Sequence, residues 1–142
     1  MIYIDKNGKW FHKGIEMIHK GIVNEFYRNL TTDTFGNYII TFGKEKCFVE
    51  VEDTPFIITR VEFDKAEKSM EAQIILYLID DTQENLDPDT LSVGDENILY
   101  CLTKKSTFKA RFSRAAYYQL ASRIKEEGDK YYLPLNDKNY YL

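Results

Sequence analysis

Residues 38–49 and 131–142 can be laid over each other at an offset of 93 without a gap: YIITFGKEKCFV above YYLPLNDKNYYL. Aromatic and β-branched residues flank a polar four-residue centre in both, GKEK in the first and NDKN in the second, as a β-hairpin requires. Upstream, Val23, Phe26, Tyr27 and Leu30 fall at the i, i+3, i+4, i+7 spacing of an apolar helix face. Tyr117, Leu120, Ala121 and Ile124 do the same at an offset of 94. His19 and Ser113 stand at matching helix starts, and Gly36 and Gly128 in the loops that follow, so one residue of loop length accounts for the change from 94 to 93.

The spacing therefore predicts an α+β fold built from two related helix-plus-hairpin repeats on antiparallel sheets. The N-terminal repeat lobe spans residues 1–61 and the C-terminal lobe 62–142, the two forming one compact unit. Further strands are expected at 56–63 and 72–79, and a hairpin at 97–103 and 107–112. Residues 80–96 read as an acidic surface connection with one short strand at 90–93. Pro134 marks its strand as an edge, because proline cannot donate to a ladder. A chain of 142 residues that is 44% hydrophobic can bury a core without staples.

Composition narrows the function. The net charge of −4 argues against a general nucleic-acid binder. No apolar run approaches the roughly 20 residues of a membrane span. The opening MIYIDKNGKW carries no secretory pattern, so a cytoplasmic protein is expected. Cys47 and Cys101 lack metal-ligand or CxxC spacing. Asp80, Asp81, Glu84, Asp87 and Asp89 lack the glycine and ligand spacing of a calcium loop, so no metal or other cofactor is expected. No GxSxG, HExxH or P-loop is present, and the chain is read as non-enzymatic.

Charge is nonetheless segregated. Residues 62–96 hold eleven acids against Lys65 and Lys68, whereas residues 104–125 hold seven bases and no acid. Solvated faces explain such runs, but arginines among them can grip phosphate or carboxylate with two parallel hydrogen bonds. Arg60, Arg111 and Arg114 are the candidates. Arg111 and Arg114 flank the helix start at Ser113, where backbone N–H groups favour an anion, with Tyr117 one turn further along. Trp10 and His12 share a face by alternation and read either as core residues or as an aromatic plate with a donor beside it. Asp53 reads as a turn residue. Glu52 pairs with an arginine such as Arg111 or contacts a ligand.

Three stretches resemble the bacterial domain of unknown function 1285 family, in that family's order: NGKWFHKG from Asn7, VEVEDTPF from Val49 and ARFSRAAYY from Ala110. The resemblance runs from about Ile4 to Leu142. It implies a duplicated fold whose second half resembles a pleckstrin-homology-like barrel. It also implies a small nucleotide-like ligand at the junction of the halves and a role in signal transduction. Trp10, His12, Glu52, Asp53, Arg60, Arg111, Ser113, Arg114 and Tyr117 are the ligand-binding candidates. The alternative is a protein-protein interaction domain using its tyrosine-rich edge strands.

Overall fold

Strands of two to nine residues, rich in aromatic and β-branched side chains and cut by Asn-Gly, Gly-Lys and Asn-Asp pairs, leave room for little but short strands and tight turns. The computed structural model describes residues 1–64 and 71–142, which divide into two units, Met1–Pro55 and Phe56–Leu142. Lys65, Glu67 and Lys68 of the acidic run lie outside the described residues.

The first unit begins with a meander of β1 (Ile2–Ile4), β2 (Trp10–His12) and β3 (Ile15–Glu16). Asp5 makes its first turn, accepting from the backbone N–H groups of Asn7 and Lys9 at 2.9 and 2.8 Å. Helix α1 (Lys20–Arg28) follows, then β4 (Leu30–Thr32), β5 (Tyr38–Phe42) and β6 (Glu45–Val51). The sheet order is β3-β2-β1-β6-β5-β4. His19 caps α1 as expected, its Nδ1 accepting from Ile22 N–H at 3.2 Å. The helix stops at Asn29, so Leu30 opens a strand instead of completing the helical face. Ile2, Ile4, Trp10, Tyr27, Leu30, Ile40 and Val49 form the core.

The second unit comprises β7 (Phe56–Asp64), β8 (Gln73–Leu78), β9 (Gln83–Asn85), β10 (Ser92–Val93), β11 (Leu99–Thr103), β12 (Phe108–Phe112), α2 (Arg114–Ala121), β13 (Lys125–Glu127), β14 (Lys130–Leu135) and β15 (Lys138–Tyr141). Strands β10-β11-β12-β7-β8-β9 make one sheet and β13-β14-β15 a smaller one. Residues 80–96 are more ordered than a surface loop, adding β9 and two 3-10 turns, Pro88–Thr90 and Asp95–Asn97, to the short strand. Buried Phe56, Ile58, Leu76, Leu78, Leu99, Phe108, Ala110, Phe112 and Leu120 form this unit's core.

Three fold expectations need correction. The large sheets are mixed, since β1 pairs with β6 and β12 with β7 in parallel. Alternation within a strand fixes which side chains share a face but carries no information on the direction of a distant partner. The second unit's six-stranded sheet is open, with no pairing that joins β9 to β10 among the described residues, so these strands do not close into a pleckstrin-homology-like barrel. Strand β14 is the middle strand of its sheet rather than an edge. Its register with β13 ends at Tyr132, opposite Lys125, so Pro134 meets no third strand where its missing N–H would matter.

The two helix-and-hairpin stretches share their internal registers. Thr31 pairs with Ile39 and Thr32 with Tyr38, while Lys125 pairs with Tyr132 and Glu126 with Tyr131. The hairpins close on two residues each, Gly43-Lys44 between Phe42 and Glu45, and Asn136-Asp137 between Leu135 and Lys138. Asn136 and Asp137 sit at φ of 51° and 63°, as a type I′ turn demands.

Candidate ligand-binding site

The residues around Ser113 are set by the end of a strand. β12 lies beside β7 only as far as Phe112 and Ile58, after which α2 runs along the edge that β12 has left. Ser113 makes the corner: its N–H donates to Ile58 O at 2.9 Å and its hydroxyl accepts from Ala116 N–H at 3.2 Å. Gln119 then replaces the missing strand, its Oε1 accepting the Val61 N–H at 2.7 Å. A bulge at Thr59, whose hydroxyl donates to Tyr77 O, lets β7 bend at this point.

Arg114, Tyr117, Ala121 and Ile124 follow each other at spacings of three, four and three residues, so they lie along one side of α2 and its exit. Tyr117, Ala121 and Ile124 wall a cavity of about 280 Å³, completed by Val93, Asn97, Leu99, Tyr131 and Leu142. None of the eight lining side chains is charged. Arg114 is exposed at the helix start, one turn from Tyr117, with its guanidinium 6.0 Å from the centre of the Tyr118 ring, and makes no ion pair among the described residues.

The other candidates are divided between the two units. Arg111 is half-buried in β12, opposite Tyr100 of β11 and Ile57 of β7, while Lys109 lies 4.2 Å above the Tyr100 ring. Arg60 is occupied at the surface: its guanidinium stacks 3.7 Å from the Tyr77 ring and reaches Glu62 at 3.3 Å, and the Tyr77 hydroxyl donates to the same carboxylate. Trp10 is 1% exposed, with Tyr27 edge-on at 4.8 Å and Phe26 at 5.8 Å, which matches the core alternative of the sequence reading. Its indole N–H has no hydrogen-bond partner among the described residues. His12 is exposed at the end of β2. Asp53 is exposed in the bend after β6.

Among the described residues Glu52 pairs with no arginine. One of its oxygens accepts from the Tyr3 hydroxyl at 3.1 Å and from Lys6 N–H at 2.9 Å, clasping the turn after β1. Burial and this hydrogen bond hold the Tyr3 hydroxyl above the ordinary phenol range. The correction has a local cause: β6 runs parallel to β1, which brings Glu52 to the end of β1.

The segregated charges meet each other in part. Lys104 Nζ lies 2.9 Å from Asp80 Oδ2 and donates to Thr82 Oγ1 at 2.8 Å, and its backbone N–H donates to the Glu84 carboxylate. Asp80 is only 6% exposed, so this pair has a structural role. Nearby, burial first and the Glu84 charge second push the Cys101 thiol up to about 12, which makes it inert at neutral pH. Among the described residues no group of three or more His, Cys, Asp or Glu side chains is placed to hold a metal. No helix among them is long and apolar enough to cross a membrane.

No family model and no curated protein matches this chain. Solved structures do. A DUF1285 family protein from Silicibacter pomeroyi DSS-3 superposes with a TM-score of 0.80, over 99% of this chain and 78% of its own, at 17% sequence identity. This chain has the DUF1285 fold. A second DUF1285 family protein, from Shewanella baltica OS155, matches with a TM-score of 0.68 over 85% of this chain and 90% of its own, at 21% identity. At such identities the likeness is one of backbone architecture. The DUF1285 fold thus agrees with the resemblance carried by NGKWFHKG, VEVEDTPF and ARFSRAAYY, while the walls of the cavity are properties of this chain.

Proposed function

We propose that this protein is a non-enzymatic binding module for a small anionic, nucleotide-like ligand, acting in bacterial signal transduction. One observation carries the reading: an uncharged, tyrosine-walled cavity lies along the same side of α2 that starts with Arg114. A ring enters the cavity beside Tyr117. The anionic group meets Arg114 and the backbone N–H groups that open the helix behind Ser113. The volume of about 280 Å³ lies just below the usual range for ligand pockets, so the cavity takes the ring and leaves the charged group outside. The shared registers of the two helix-and-hairpin stretches further support reading the lobes as copies of one unit.

A thermal-shift screen against AMP, GMP, cyclic di-GMP and NAD tests this, with Arg114→Ala alongside. Ligand at 100 times its dissociation constant adds about 2.7 kcal/mol of stability. A stabilisation seen in the parent and lost in Arg114→Ala is expected; flat traces for all four nucleotides would reject the reading. A second reading, a protein-interaction domain, is favoured by the small sheet, where β15 has no partner on its outer side among the described residues and Tyr131 and Tyr141 are exposed. Removing residues 136–142 and comparing partner capture with circular dichroism separates loss of a partner from loss of fold.

A further inference from the structure

The rim of the cavity contains a strained turn. Glu96 and Asn97, consecutive non-glycine residues, are held at φ of 59° and 61°, left-handed backbone that glutamate in particular disfavours. The turn is fastened at its base. Gly94 N–H donates to Ile98 O at 2.8 Å, and Gly94 lies so close to Tyr100 that a Cβ there would sit 2.7 Å from the ring. Asn97, among the residues that line the cavity, is exposed at its rim, and its side-chain amide makes no hydrogen bond among the described residues.

The rest of the lining explains what an amide at that position can do. Val93, Leu99, Ala121, Ile124 and Leu142 supply hydrocarbon and cannot discriminate between rings of similar size. Tyr117 and Tyr131 supply ring faces and hydroxyls. Asn97 alone carries an adjacent donor and acceptor, a pair that fits a ring edge bearing the complementary pair, as asparagine does with adenine. With no charged side chain in the lining, a neutral ring is favoured over an ionised one.

We propose that Asn97 is the specificity-determining residue of this cavity and that the ring it selects is a nucleobase, read along an edge where an exocyclic amino group adjoins a ring nitrogen. This deepens the reading of a nucleotide-like ligand and rests on it for the identity of the pocket.

The test uses uncharged probes, for which Arg114 is irrelevant: adenine against purine, and cytosine against pyrimidine, titrated by calorimetry into the full chain and into Asn97→Gly. Glycine accepts the left-handed backbone without strain, so this variant keeps its fold while deleting the amide. The amino-bearing base of at least one pair is expected to bind at least ten times more tightly than its partner. In Asn97→Gly that ratio should fall towards one, with thermal stability unchanged or raised. A preference that survives in Asn97→Gly overturns the assignment, as does the absence of binding by all four probes at millimolar concentration. If adenine binding depends on Asn97 while AMP gains nothing from Arg114, the anionic ligand falls and the base site stands; if Arg114-dependent nucleotide binding is blind to Asn97, the reverse holds.

Discussion

Helices α1 and α2 start on side-chain caps and lead into meanders of the same register, yet one is sealed and the other is not. At the offset of 94, Val23, Tyr27 and Leu30 of the first stretch correspond to Tyr117, Ala121 and Ile124 of the second. At 93, Tyr38 and Val49 correspond to Tyr131 and Leu142. Most of the first set is core: Tyr27, Leu30 and Val49 are buried, Val23 and Tyr38 are half-buried, and Tyr27 packs against Trp10. The second set lines the cavity. Two differences produce this. An alanine stands where α1 has a tyrosine, and no strand flanks β15 among the described residues as β1 flanks β6. A shared backbone frame thus becomes core or cavity according to one side-chain volume and one neighbouring strand.

The comparison breaks most visibly at Trp10. Trp10→Ala removes the largest fully buried side chain of the first unit and should cost about 3–5 kcal/mol. Denaturant unfolding followed by circular dichroism measures it, since the chain has no other tryptophan to report by fluorescence. A loss below about 1 kcal/mol would mean that the first unit does not depend on the aromatic packing described above.

Filling the cavity sharpens the contrast. Ala121→Tyr gives α2 the residue that α1 carries at the equivalent position. Stability should change by less than about 1.5 kcal/mol, because the added ring enters existing space. Nucleotide and base affinity should fall at least tenfold. Unchanged affinity in a folded Ala121→Tyr variant would place the ligand elsewhere.

The smallest expected effect concerns the caps. His19→Ala and Ser113→Ala each delete one acceptor for a helix-opening N–H, and each should cost about 1 kcal/mol. Ser113→Ala should lie at the upper end, because its hydroxyl also reaches Thr59 O at 3.4 Å. If His19→Ala proved the costlier by more than about 1 kcal/mol, the two helix starts would not be equivalent.

Much of the local structure was legible in the residues. Both helix starts, both hairpin turns and the one-residue change of offset follow from short-range rules: a 3.6-residue period, a two-residue alternation, and turn residues that tolerate left-handed backbone. At the site, the same rules placed Ser113 at the cap, Arg114 at the helix start and Tyr117 one turn on. They did not expose Asn97, whose importance depends on a turn braced by the Tyr100 ring, nor Ala121, which is informative only against Tyr27. Trp10 has the composition of a stacking plate, and only its neighbours show that it is core.

What the sequence determined by itself is therefore the pair of helix-and-meander stretches and their caps, because those interactions span a few residues and each residue's partners are fixed by spacing. What the tertiary structure decided is which strands run parallel across tens of residues, which carboxylate meets Tyr3 and which meets Lys104, and where the packing leaves a cavity. Those outcomes depend on groups brought together by closing long loops. The closure cost grows only slowly with loop length, so spacing along the chain does little to favour one distant partner over another.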